Sequence, residues 1–174
     1  KIKFNIAIET HLKNIDNELA DIFLKCGIKL IYVGVESADE EVKQSAKRWS
    51  DDNDVQIEKI NYLEKIGIKI KTMYIIGFPE ENRDKFLKTV DYAIKVNSSY
   101  AQFSVFTPYP GTPVYKDYEK KIIAKKFEDF NQWKLVFEHK NFDESAVRNL
   151  LDLAYKKYYL RFSWIKNFFI RKLL

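Results

Sequence analysis

Four short apolar runs divide the first part of the chain, at residues 4–8, 30–35, 70–76 and 101–106. Each run is short enough to be a buried strand, and each gap between neighbouring runs has room for a helix. Right-handed crossovers between parallel strands need such gaps. The pattern therefore predicts an α/β fold with four parallel βα units.

Helix signals fill the gaps between the apolar runs. Asp16 and Gly27 stand where the N-cap and the C-terminal glycine of a first helix belong. Asp39 caps a second helix, which we expect to run to about Lys47, and a third helix precedes the third strand. Residues 83–96 carry apolar side chains on one side and are predicted to form a fourth helix.

The pattern changes beyond Pro113, where we expect helices that carry many aromatic side chains. These aromatics are Phe127, Phe130, Trp133 and Phe137. Helical spacing follows over residues 146–160, with a terminal stretch to residue 174. We therefore divide the chain into residues 1–120, a partial βα core, and residues 121–174, a helical, basic and aromatic-rich C-terminal extension.

Charge and cysteine content restrict the kinds of site and the cellular compartment that we expect for the protein. The net charge is +5, but residues 146–174 hold seven basic residues and one acid, so the basic character belongs to the tail. The single cysteine, Cys26, excludes an intrachain disulfide and a multi-cysteine metal site within these residues. Its position before Gly27 predicts a packed small residue. We expect a cytoplasmic protein and, because no initiator methionine is present, a fragment of a longer one.

Three of the four apolar runs end in a loop suited to holding a ligand. The loops are Gly34-Val35-Glu36-Ser37, residues 76–81 and residues 107–113. The carboxyl ends of parallel strands share one face of the fold, so loops far apart in sequence converge there. The chain is therefore predicted to be part of an enzyme.

The first loop places a carboxylate beside a hydroxyl. Glu36 can accept hydrogen bonds from both hydroxyls of a ribose, and Ser37 can donate or accept. Gly34 precedes them and lets a ligand approach the backbone closely. In the alternative interpretation, Ser37 caps the following helix and Glu36 stabilises its dipole. The sequence leaves both interpretations open.

The second and third loops are stiff turns. Gly77 and Pro79 fix a tight turn, after which Glu81 either binds a ligand or occupies the first turn of the next helix. Residues 107–113 contain three prolines, a glycine and Tyr109, which together impose a rigid path on which a flat apolar ring could stack. The alternative for this loop is a rigid connector toward the C-terminal helices.

In their order and spacing, these loops resemble three sequence elements of the radical S-adenosylmethionine (SAM) superfamily. Residues 34–37 are similar to its Gly-x-Glu-Ser element, and residues 76–81 to its Gly-Leu-Pro-Gly-Glu element, with Glu80 where that element has glycine. Residues 108–113 match its Pro-Tyr-Pro-Gly-Thr-Pro element. The resemblance covers about residues 4–120.

The resemblance implies a partial (βα)6 barrel in which this chain supplies strands three to six and SAM lies across their carboxyl ends. The implied cofactor contacts are Gly34, Glu36, Ser37, Gly77, Pro79, Glu81, Phe106, Pro108, Tyr109 and Pro110. Glu36 and Ser37 would approach the ribose and methionine side, and residues 106–110 would frame the adenine. Thr10 and His11, at the end of the first strand, are candidates to face the substrate, and a surface or core position is the alternative for His11.

The implied chemistry depends on groups outside these residues. Members of the family hold a four-iron, four-sulfur cluster through a Cys-x-x-x-Cys-x-x-Cys loop, and the cluster cleaves SAM to methionine and a 5′-deoxyadenosyl radical. Cys26 cannot replace three thiolates, so we expect the loop upstream and expect this chain alone to be inactive. Residues 154–161 resemble the tail of members with an N-terminal cobalamin-binding domain, which implies a cobalamin-dependent methyltransferase or oxidoreductase.

The basic, aromatic tail at residues 155–174 has three interpretations. It could lie on an anionic membrane, which would suit a lipid substrate, or it could bind RNA. It could also pack on the barrel or on a missing N-terminal half of the same protein.

Two functions stay open for the chain. One is the cofactor-binding part of a radical SAM enzyme that acts on a small molecule or lipid. The other is a non-catalytic half-barrel that serves as a binding or scaffold protein. The apolar first strand has no predicted partner on its outer side, so we expect the isolated chain to aggregate.

Overall fold

The computed structural model describes residues 4–45 and 52–173 and contains a parallel sheet of four strands. The strands are β1 (Ile6–Glu9), β2 (Ile28–Glu36), β3 (Lys69–Ile76) and β4 (Tyr100–Val105). They lie in the sheet in sequence order, and every neighbouring pair is parallel. The predicted α/β fold with four parallel βα units is confirmed.

Seven α-helices accompany the strands in the described residues. They are α1 (Asn17–Cys26), α2 (Glu40–Ser45), α3 (Asn53–Lys65), α4 (Arg83–Val96), α5 (Pro113–Tyr118), α6 (Glu144–Tyr159) and α7 (Phe162–Leu173). The predicted ends of α1 are confirmed, since Asp16 Oδ1 accepts from the Leu19 amide and Gly27 adopts φ +85°. The predicted end of the second helix, near Lys47, lies outside the described residues.

Helices cover one face of the sheet and leave the other face partly open. The strand side chains on the covered face are buried: Ile31, Val33, Val35, Ile70, Thr72, Tyr74, Ile76, Ala101 and Phe103. Helices α1, α3, α4 and α6 contact these strands. On the other face Tyr32, Lys71 and Met73 are only half-buried. Parallel sheets are usually covered on both faces, so the open face is the notable feature of this fold.

The prediction that Cys26 is a packed small residue is wrong. Its side chain is exposed in the structure. Helix α1 buries Ala20 against the sheet, and Cys26 lies roughly 120° around the helix from that residue. The end of the helix therefore turns the thiol toward solvent.

The prediction of helix around the aromatics of the C-terminal region is also wrong. Between α5 and α6 the chain is largely irregular, with a 3-10 turn at Phe127–Asp129 and an antiparallel bridge between Ile122 and Phe137. Phe137 is buried, whereas Phe127 and Trp133 are exposed. These aromatics therefore do not share one helix face, and of the four only Phe137 is fully buried.

The outer edge of β4 is closed by two tyrosine hydroxyls. Tyr159 Oη lies 2.9 Å from the amide nitrogen and 2.6 Å from the carbonyl oxygen of Ala101. Tyr155 Oη makes the same pair of contacts with Phe103, at 3.1 and 3.0 Å. Each hydroxyl accepts from the N–H and donates to the C=O of one strand residue. Helix α6 therefore completes the hydrogen bonding that a fifth strand would otherwise supply.

Candidate functional site

A groove of about 640 Å³ runs along the open face of the sheet to the carboxyl ends of its strands. Its floor includes Gly34, Met73 and Gln102, which are Cα partners across three adjacent strands. Ile75 and Ser104 continue the floor toward the strand ends. The rim consists of Glu9, Thr10, His11, Glu36, Val105, Phe106, Thr107, Tyr109, Val114 and Gln132. The volume is in the range of small-molecule sites.

Half of the residues predicted from the sequence line this groove. They are Thr10, His11, Gly34, Glu36, Phe106 and Tyr109. The others lie outside its lining: Ser37, Gly77, Pro79, Glu81, Pro108 and Pro110. The structure therefore brings together the first loop, the third loop and the end of β1, while the second loop lies behind them.

Glu36 occupies a strained turn at the end of β2. Its φ is +69°, and the Ser37 amide donates to the Val35 carbonyl at 3.0 Å, which closes a turn of three residues. A left-handed conformation costs a non-glycine residue roughly 1–2 kcal/mol, and such strain is concentrated at functional sites. A Cβ on Gly34 would lie 3.1 Å from Glu36 Oε1. The glycine therefore leaves room for the carboxylate to lie back over β2, beside the groove.

Ser37 is fully buried and its hydroxyl already has partners. Its Oγ lies 3.1 Å from Thr89 Oγ1 on α4 and accepts from the Asp39 amide at 3.1 Å. Asp39 Oδ1 in turn accepts from the Val42 amide, so Asp39 caps α2 as predicted. The interpretation of Ser37 as the helix cap is therefore wrong, since Asp39 caps α2, and the Ser37 hydroxyl instead fastens the β2–α2 loop to α4.

Glu81 holds the turn that follows β3. It is fully buried, and its Oε2 accepts from the amide of Gly77, whose φ is +75°. Its Oε1 has no hydrogen-bond partner in the described part of the chain. Burial raises the pKa of Glu81 to about 8, against the lowering effect of hydrogen bonds from Gly77 and Phe78. The carboxyl is therefore largely protonated at neutral pH and acts as a neutral brace under the turn.

The same turn tolerates Glu80 where the family element has glycine. Glu80 is exposed, and it is not among the non-glycine residues with positive φ in the described ranges. Phe78, the buried residue of the turn, is fixed through its carbonyl by His139, whose Nε2–H donates at 2.8 Å. Burial lowers the pKa of His139, in agreement with a neutral ring. The departure from the family pattern therefore causes no backbone strain.

The third loop is a rigid wall of the groove. The Thr112 hydroxyl donates to the Tyr109 carbonyl at 2.6 Å, and Gly111 adopts φ +87°. The Phe106 amide donates to the Ile76 carbonyl at 2.8 Å, which joins this loop to the end of β3. The loop leads directly into α5, so it serves as a connector and a groove wall at once.

Sequence reasoning missed the groove residues that do not lie at strand ends. Met73, Ile75 and Gln102 occupy alternate positions of β3 and β4 on the open face, and the polar Gln102 within an apolar run was the available signal. Gln132 gave no signal, because it belongs to the irregular segment before α6. Its φ is +66°, and its carbonyl accepts from the Val105 amide at 2.7 Å, which extends the closure of the β4 edge.

The residues of this region differ in how well they suit a nucleoside and an iron–sulfur cluster. A nucleoside fits the lining, which offers the Glu36 carboxylate to a ribose and the rings of Phe106 and Tyr109 to a base. An iron–sulfur cluster does not fit. Within the described ranges no group of three or more His, Cys, Asp or Glu side chains is placed to hold a metal ion. The single cysteine, Cys26, is not part of the groove.

Comparison with known proteins gives a family model and relatives that match this chain. The model of the radical SAM superfamily matches residues 1–93. An uncharacterized methyltransferase of Pyrococcus horikoshii is 27% identical over 154 residues, which cover 87% of this chain and 33% of that protein. The bacteriochlorophyllide d C-12(1)-methyltransferase of Chlorobaculum tepidum is 24% identical over 142 residues, covering 81% and 31%. The chain thus spans about a third of the length of these relatives.

A solved structure shows the same fold. It is the radical SAM methyltransferase TsrM of Kitasatospora setae with cobalamin and a 4Fe-4S cluster bound. The TM-score is 0.59 at 18% sequence identity, and the match covers 66% of this chain and 21% of that protein. At this identity the likeness establishes the architecture alone.

Proposed function

The chain belongs to the radical SAM superfamily, and we propose that it contributes the ribose and adenine side of the SAM site in a longer iron–sulfur enzyme. The observation that supports this proposal is the groove. The strained Glu36 turn and the Tyr109 loop both line it, at the carboxyl ends of the strands. The family match independently covers the first three strands.

Each groove residue has a positioning role in this proposal. Glu36 accepts from the ribose hydroxyls, and Gly34 keeps the space beside it open. Phe106 and Tyr109 border the adenine. Ser37 acts indirectly, because its hydrogen bonds fix the loop that follows Glu36. Gly77 and Glu81 fix the turn after β3, which contributes no residue to the groove lining.

The reactive step belongs to groups outside this chain. When bound beside a cluster, SAM supplies a radical by reductive cleavage, and the cluster ligands are expected upstream of these residues. The residues of this chain hold the cofactor in one orientation and limit access of water to it. Thr10 and His11 line the β1 end of the groove, and in this proposal they face the substrate.

We propose methyl transfer, with cobalamin as a further cofactor, in preference to an oxidoreductase reaction. Two relatives are named methyltransferases, and the structurally similar TsrM is a methyltransferase with cobalamin bound. No described residue identifies the methyl acceptor.

The test of the proposal uses the full-length gene product, purified without oxygen and reconstituted with iron and sulfide. We expect bound iron, the absorbance of a four-iron cluster and formation of 5′-deoxyadenosine from SAM under reducing conditions. The 174-residue chain, treated identically, serves as the control and should form no product. A full-length product that binds neither iron nor SAM would contradict the proposal and favour the second candidate, a half-barrel scaffold without catalysis.

A further inference from the structure

The described side chains of the tail, at residues 155–169, face in two directions. Its inward side is committed to the sheet, because Tyr155 and Tyr159 close the edge of β4. Trp164 Nε1 donates to the Ser99 carbonyl at 3.2 Å, and Arg161 donates to the Ile94 carbonyl at 2.8 Å. The packing interpretation of the tail therefore holds for these side chains.

The outward side carries a run of exposed apolar side chains. Leu160 is 69% exposed, Phe162 81% and Phe169 60%, and Ile165 is exposed as well. Phe162, Ile165 and Phe169 have the spacing i, i+3, i+7, so they share one side of α7. We call these four residues the α7 stripe. Trp164 lies on a different side of the helix, where it stacks on Phe168 and meets Tyr159 edge to face.

The charged residues in this part of the sequence are of one sign. Residues 153–174 contain no acidic residue, and their basic residues are Lys156, Lys157, Arg161, Lys166, Arg171 and Lys172. Lys157 pairs with Asp91 at 3.2 Å, and Arg161 is bound to the end of α4. Lys156 and Lys166 are exposed. Exposed apolar side chains with exposed cations nearby in the sequence suit the interface of an anionic bilayer.

We propose that the α7 stripe binds the surface of a membrane that contains anionic lipid. The contact is peripheral, since no helix in the described ranges is long and apolar enough to cross a bilayer. RNA fits the stripe less well, because two of its four side chains, Leu160 and Ile165, are aliphatic and offer no ring on which a base could stack. Trp164 anchors α7 at Ser99, next to the amino end of β4, whereas the groove opens at the carboxyl ends. The bound protein would therefore keep the groove accessible.

The proposal is tested by flotation of the 174-residue chain with vesicles of phosphatidylcholine, with and without phosphatidylglycerol. Vesicle-bound protein floats and aggregated protein sediments, so aggregation does not mimic binding. We expect binding to anionic vesicles about tenfold stronger than to neutral ones, weakened by added salt. The double variant Phe162→Ser/Phe169→Ser should lose about tenfold or more. The matched control, Phe127→Ser/Val55→Ser, removes two exposed apolar side chains elsewhere and should bind like wild type.

Circular dichroism of both double variants establishes that they are folded before their binding is compared. Equal flotation with neutral and anionic vesicles would overturn the proposal, as would unchanged flotation of the stripe variant. Self-association of the wild type that the stripe variant abolishes, measured by light scattering, would assign the stripe to a contact between copies instead. This test does not use SAM, so its outcome is independent of the proposed function.

Discussion

The two edge strands of the sheet differ in whether their outward backbone groups have hydrogen-bond partners. At β4, Tyr159, Tyr155 and Gln132 give partners to three successive outward amides, those of Ala101, Phe103 and Val105. At β1, the only paired strand in the described residues is β2, and Phe4 is 64% exposed. The sheet therefore has room for further strands at β1 but not at β4. This difference agrees with a barrel whose remaining strands join from the β1 side.

The closure of the β4 edge by α6 is possible because the helix and the strand advance by similar distances between the bonded residues. Four residues of helix advance about 6 Å, and two residues of strand advance about 6.6 Å. Tyr155 and Tyr159 are four apart on α6, and Ala101 and Phe103 are two apart on β4. The two hydroxyls therefore stay in register with the strand. An unpaired strand edge otherwise invites association with other chains.

The largest expected effect comes from breaking the closed edge. The double variant Tyr155→Phe/Tyr159→Phe keeps both rings but removes four hydrogen bonds to β4. Urea denaturation should show an unfolding free energy lower by about 4 kcal/mol. Tyr115→Phe is the control, since the Tyr115 hydroxyl makes no hydrogen bond among the described residues. A double variant as stable as wild type would show that α6 does not secure the edge.

The next effect concerns the buried carboxyl of Glu81, which holds the turn that follows the interior strand β3. The pKa of Glu81 is about 8 in the fold and 4.5 when unperturbed, so the folded state binds the extra proton between these values. Its contribution to stability is therefore full below pH 4.5 and is lost as the pH rises through 8. From pH 5 to 8, Glu81→Gln should remove a decline of about 3 kcal/mol in the unfolding free energy.

The control for this pH dependence is Glu80→Gln, which changes an exposed carboxyl in the same turn. The pH profile of its unfolding free energy should follow that of wild type. A Glu81→Gln protein whose profile also follows wild type would mean that the carboxyl under the turn ionises normally.

A smaller effect probes the contact of Gly27 with the start of β1, one of the attachments of the open edge. Gly27 has φ +85°, its carbonyl accepts from the Ile6 amide, and a Cβ there would lie 2.5 Å from the Phe4 carbonyl oxygen. Gly27→Ala should lower the unfolding free energy by about 2 kcal/mol, through backbone strain and displacement of the start of β1. Gly67→Ala has similar strain but no neighbour within 4 Å, so it should cost about 1 kcal/mol. Equal losses would exclude the contact with Phe4 as a cause.

The smallest effect on stability is expected at the open edge itself. Ile6 is partly exposed on β1, so Ile6→Lys should change the unfolding free energy of the isolated chain by less than about 0.5 kcal/mol. The same charge should reduce aggregation, measured by light scattering, because it opposes pairing of the β1 edges of two chains. Val55→Lys, at an exposed site on α3, is the control and should leave aggregation unchanged. Aggregation that both variants reduce equally would place its cause elsewhere.

The parts of the fold that could be predicted from sequence are those set by local chemistry. Asp16 and Gly27 defined α1 because a cap and a left-handed glycine act within one turn. The closure of β4 could not be predicted, since helical spacing indicates that Tyr155 and Tyr159 pack together but not that their hydroxyls meet a strand.

The candidate site could also be predicted only in part. Glu36 and Tyr109 were found because strand ends converge in parallel sheets. Ser37 and Glu81 have the same kind of position, yet both side chains are buried and hydrogen-bonded behind the groove. A sequence does not reveal toward which side a polar residue at a strand end points.

The central claim is that the groove at the carboxyl ends binds SAM through the Glu36 turn. Its most direct test is the equilibrium affinity of the reconstituted full-length gene product for SAM, compared between wild type, Glu36→Gln and Glu58→Gln. Glu58 is an exposed carboxylate on α3, outside the groove, and its variant should bind like wild type. We predict that Glu36→Gln binds about tenfold more weakly, because a charged acceptor of the ribose hydroxyls is lost. Equal affinity of wild type and Glu36→Gln would contradict the account.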